Sequence, residues 1–202
     1  MTFSQEEIDC FADRDFFRTK AQITVKVRHI LEELHGNIQS EMEGRDLIVP
    51  QRFNPEAVQF VKGEHLEDFP YQYLDFPRHY TRTEKFAFRS LFWWGHHVVF
   101  ALILEGPHVR QYKENLINHF SEIAGHSICL CLSASLWEWK HGAGYTMELT
   151  QDRKSQTAAV LANRSFVKLA RFVPLSDPIV QSGVMAHAGH QAFRAMLPVI
   201  LA

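Results

Sequence analysis

A chain of 202 residues with 46% hydrophobic and 22% charged side chains has the balance of one globular domain, large enough to bury roughly 70% of its unfolded surface without metal or disulfide staples. Its formal net charge of −2 excludes the broad basic footprint needed to hold a nucleic-acid backbone, and no apolar run approaches the roughly 20 residues of a membrane span. Three cysteines, Cys10, Cys129 and Cys131, are an odd number for a disulfide framework, and the N-terminus lacks the basic and apolar regions of a secretion signal. The reading is a single domain over 1–202 in a reducing, cytoplasmic setting, with neither nucleic acid nor membrane as partner.

Ser4 followed by Glu7 forms a capping box, which predicts a helix start. A long amphipathic helix follows from about Asp13 to Met42. Phe16, Ile23, Val27, Ile30, Leu34, Ile38 and Met42 recur at helical spacing and predict one buried stripe, with Gly36 as the place where it would bend or break. Residues 44–80 contain Pro50, Pro55, Pro70 and Pro77 and read as an irregular segment packed by its own aromatic rings. Two strands at 86–92 and 97–104, joined near Trp94 and Gly95, come next.

Pro107 opens a central helix that Gly125 closes. Ile128–Ser133, Leu136–His141 and Tyr145–Leu149 read as strands, the last two joined by the turn at 141–144. In the first of them Cys129 and Cys131 share a face as small buried hydrophobes. A helix over 151–163, a strand at Phe166–Val173 and a last helix capped at Ser176-Asp177-Pro178 complete the chain. The order predicts an α+β fold, a mostly antiparallel sheet with the long N-terminal, central and C-terminal helices packed on it.

Three stretches carry a family likeness. They are Phe3-Ser4 with the long helix behind it, Leu91 to Pro107 with Phe100-Ala101-Leu102-Ile103-x-Glu105, and Arg171-Phe172-Val173-Pro174-Leu175-Ser176-Asp177-Pro178 followed by Phe193 and Leu197-Pro198. In these the chain distantly resembles the YktB-like family of uncharacterised bacterial proteins. Of that family's His- and Arg-rich run ending in Asn-Pro-Pro, only Arg52, Asn54 and Pro55 have counterparts, and the preceding histidines are absent. The resemblance implies a fold and names no activity.

The most unusual composition lies between Glu64 and Lys85, where aromatic rings alternate with basic groups. Guanidinium forks suit carboxylate or phosphate, and neighbouring rings can stack on a planar ligand. One reading is a cleft for a small anionic molecule, with Arg52, Arg78, His79 and Arg82 on the anion and Tyr71, Tyr73, Trp93 and Trp94 stacking. His79 is then the candidate acid or base, since histidine titrates near neutrality. The competing reading of the same segment is a solvated lid whose rings fill the core edge. No P-loop, dinucleotide fingerprint, nucleophile elbow or His-Glu-x-x-His is present, so no cofactor and no reaction is assigned. His187 and His190, three apart, find no third ligand at a telling spacing, so no metal is assigned either. The rival from another class is an interaction module, acting as a homodimer or an adaptor through the paired tryptophans or the apolar C-terminus.

Overall fold

The computed structural model describes residues 1–202. Its strands are β1 (Gln59–Leu66), β2 (Phe69–Tyr80), β3 (Lys85–Trp93), β4 (His97–Glu105), β5 (Cys129–Cys131), β6 (Thr146–Glu148) and β7 (Phe166–Pro174). They form one seven-stranded sheet in the order β1-β2-β3-β4-β7-β5-β6, and every pairing is antiparallel. The helices are α1 (Gln5–Ala12), α2 (Arg14–Met42), α3 (Val109–Asn118), α4 (Phe120–Ile123), α5 (Lys154–Ala162) and α6 (Met185–Met196). The fold is α+β.

Strand alternation divides the sheet into two faces. One presents Phe86, Phe88, Phe100, Leu102 and Leu169 to Leu31, Leu34 and Ile38 of α2 and to Phe193 of α6. Gly189 makes that closeness possible. A Cβ there would stand 2.6 Å from the Phe100 ring and 2.7 Å from Leu34, so only glycine lets α6 lie between strand and helix. The other face holds a smaller cluster of Leu91, Trp93, Val99, Ala101 and Ile103 under Leu136 and Trp139.

Several sequence expectations meet a different outcome. Residues 59–80 are the paired strands β1 and β2. Pro77 does not interrupt β2 because it falls in a bulge, where the register shifts between Asp75 and Arg78 and no ladder donor is required. α2 passes through Gly36 without a break. Its stripe is only partly covered, since burial begins at Val27 while Phe16 and Ile23 stand exposed. The sheet simply does not extend beneath the first turns of the helix.

Residues 136–141 form no strand. Their carbonyl groups are met by side chains instead of a ladder: the Lys168 ammonium donates to Leu136 O at 2.8 Å and Glu138 O at 2.6 Å, and His97 Nε2 lies 2.9 Å from Trp139 O. With that segment diverted across the sheet, β5 pairs directly with β6. Near the C-terminus, Asp177 caps a single 3-10 turn at Pro178–Val180, and the final helix begins later, at Met185.

Candidate functional site

The bulge in β2 decides where the residues of the aromatic and basic segment go. Simple alternation would carry Tyr71, Tyr73, Asp75 and His79 to one face. The extra residue reverses the phase, so Arg78 pairs with Ala87 and Tyr80 with Lys85, and Arg78 joins Tyr71 and Tyr73 while His79 turns to the helix-covered face. There its Nε2 is 3.9 Å from Glu84. Trp93 is buried, donating to Leu66 O at 3.0 Å and stacked on His96. Trp94 lies on the opposite side of the hairpin, at the rim of an apolar groove. Arg52 and Arg82 are exposed in separate turns. Of the eight residues expected to form one cleft, Tyr71, Tyr73 and Arg78 share a surface, Trp93 is buried on the same face opposite Tyr71, and Arg52, His79, Arg82 and Trp94 diverge.

Around those three stands a network that periodicity does not reveal. Asp75 is fully buried and accepts two hydrogen bonds from Arg89, Nε to Oδ1 and a terminal nitrogen to Oδ2, both 2.7 Å. The Tyr80 hydroxyl donates to Asp75 Oδ2 at 3.0 Å. The Arg89 guanidinium lies 3.8 Å from the centre of the Tyr73 ring, and Tyr71 stacks on Tyr73 where Gly63 leaves room for its ring. Lys168 Nζ sits 3.6 Å from the Trp139 ring. Burial lowers the pKa of this ammonium to about 8 and raises that of Tyr80, with the Asp75 charge adding to it. Each cation is already neutralised or hydrogen-bonded: Arg89 by a bidentate carboxylate, Lys168 by two carbonyls. The network joins loop to sheet and leaves neither Arg89 nor Lys168 free for a ligand; Arg78, 5.3 Å from the Tyr80 ring centre, has no ion pair, and its Nε has no hydrogen-bond partner.

The sequence signal for it was a charge inside an apolar strand run, Arg89 in FAFRSLFWW and Lys168 in FVKLARF. Such residues are rarely buried without a partner. The buried thiols are equally quiet, with burial pushing Cys131 up to about 11 and Cys129 to about 12. No group of three His, Cys, Asp or Glu side chains is placed to hold a metal; His187 is exposed, and His190 is 2.9 Å from Glu41. No helix is long and apolar enough to cross a membrane.

The feature left without internal explanation is at the N-terminus. Every residue from 1 to 19 is exposed. α1 is nevertheless a capped helix, with Ser4 and Glu7 in a reciprocal box, and Asp13 caps α2 directly behind it. On this arm Phe3 is 81% exposed and Phe11 85%, with Ile8, Phe16 and Phe17 also in solvent. Where the arm meets the body there is a groove of about 310 Å³ between α2, the β3–β4 hairpin and residues 175–185. Ten of its twelve lining residues are hydrophobic, among them Ile23, Ile30, Trp94 and Met185, and Lys26 is its one charged residue. No protein-family model matches the chain, and no curated protein or solved structure matches it significantly.

Proposed function

We propose that this chain is an interaction module that works as a homodimer, the N-terminal arm of each copy lying on the apolar groove of the other. The observation that carries the reading is the arm itself, two capped helices with five large apolar side chains and nothing of their own chain beneath them. Area supports it. The accessible surface is 11190 Å², whereas a compact 23.4 kDa monomer exposes about 9,750 Å² on the usual size scaling. The excess, about 1,400 Å², exceeds the roughly 800 Å² that each partner contributes to a stable interface.

Symmetry and charge favour a second copy over a foreign partner. Phe16, Ile23 and Ile30 are seven apart and lie along one line of α2. A two-fold axis near Ile23 sets each Phe16 against the partner's Ile30, an isologous contact that closes on itself. The side chains of residues 1–13 include Glu6, Glu7, Asp9 and Asp13 and no Lys or Arg, matching a groove whose one charge is Lys26. The same acidity disfavours an anionic membrane surface, which selects basic amphipathic helices. The C-terminal segment offers no rival surface, because Met196, Leu197 and Ile200 are buried.

Sedimentation equilibrium over a micromolar concentration series is the test. Wild type is expected at twice 23.4 kDa, and Phe11→Asp with Phe16→Asp at the single mass with an unchanged circular dichroism spectrum. A wild-type monomer throughout the series would overturn the reading.

A further inference from the structure

We propose that the cleft between α4, β7 and α6 binds a compact dianion of the phosphate class, independently of self-association. Its central residue is Arg171. Strand alternation puts Arg171 on the helix-covered face of β7, opposite Phe100 across the β4 ladder and between Leu169 and Val173, both core residues. A charge at that position interrupts an otherwise apolar row, and none of the ion pairs or side-chain hydrogen bonds of the fold engages it. The two cations that are buried in the sheet, Arg89 and Lys168, are each satisfied by fixed partners, whereas Arg171 is only partly buried. Arg171 instead opens into a cleft of about 410 Å³ that it shares with Arg194, His126 and Gln191.

The lining chemistry selects the ligand. Two guanidinium groups and a side-chain amide present many N–H donors to one space, which suits an oxyanion with several acceptor oxygens. Two guanidinium groups in one cleft match a dianion better than a monoanion. One acid lines the cleft, Glu122, and its carboxylate is engaged by His119 Nδ1 at 2.9 Å. Glu41 does not remove Arg194 from the site. That carboxylate is already met by Arg45 and by His190, and Arg194 approaches it only to 3.4 Å while remaining 63% exposed. A single lining residue is hydrophobic, so the cleft has little apolar surface to bury a large organic group. A phosphate, free or carried on a small polyol, fits both the charge and the volume.

Titration calorimetry with inorganic phosphate and with glycerol phosphate, at ionic strength held constant with chloride, tests the assignment. Saturable one-site binding is expected, weakened at least tenfold by Arg171→Gln and by Arg194→Gln. Because Arg194 is exposed, its variant keeps the test decisive should Arg171→Gln fold poorly. Repeating the titration on Phe11→Asp with Phe16→Asp is expected to leave phosphate affinity unchanged. Heats no larger than those of the chloride control, or affinity indifferent to Arg194→Gln, would overturn the proposal.

Discussion

At the scale of single residues, the contrast between Arg89 and Arg171 shows how burial and partnership set the role of a cation. Arg89 belongs to a closed unit with Asp75, Tyr80 and Tyr73. Taking two charges out of water is costly, and only bidentate geometry with further hydrogen bonds offsets it. Breaking one side therefore hurts more than removing both. Asp75→Ala leaves a buried guanidinium without its counter-ion and is expected to cost about 3–5 kcal/mol of unfolding free energy. The double variant Asp75→Leu with Arg89→Met removes both charges and is expected to recover most of that loss. Urea denaturation of the three proteins measures it, and a double variant no more stable than Asp75→Ala would show that the pair stabilises by more than mutual neutralisation.

Elements explain what was legible and what was not. The 85–105 hairpin was readable because Val98–Leu104 is apolar throughout and Gly95 marks its turn, at φ of +71°. β2 was hidden by Pro70 and Pro77, which ordinarily argue against an interior strand, and β1 by its weak alternation; the bulge that admits Pro77 also moved His79 away from Tyr71 and Tyr73. Single-residue phase shifts of this kind leave no periodic trace. The stretch at 136–141 looked like a strand from its apolar content, yet its carbonyls were satisfied by Lys168 and His97, partners that sequence spacing cannot supply. α6 shows the same dependence on distant elements. Its approach to α2 and β4 is set by Gly189, an ordinary small residue by sequence, and Gly189→Ala is expected to destabilise the fold by about 1–3 kcal/mol through overpacking despite the better helix propensity of alanine. Thermal unfolding reads the sign directly, and a stabilised variant would mean that α6 shifts to accommodate the methyl.

On the scale of the whole molecule, the body and the arm are energetically separate within one copy. Every residue before Lys20 is exposed, and the first tertiary ion pair along α2 is Lys20–Glu64 at 2.5 Å. Deleting residues 1–12 therefore removes little that stabilises an isolated body. In a dimer the same deletion removes much of the interface, and mass action separates the two cases. For an unfolding dimer of 202-residue chains, each tenfold rise in protein concentration is expected to raise the melting temperature by about 2 °C. The truncated chain is expected to melt at one temperature across the whole series, close to the value that the full-length protein approaches on dilution. Scanning calorimetry from 2 to 200 µM, a range of about two decades chosen to span typical dimer affinities, distinguishes the outcomes. A full-length melting temperature that ignores concentration would leave the arm without a partner copy. A truncated chain that melts far below the dilute limit would instead place the arm against its own body.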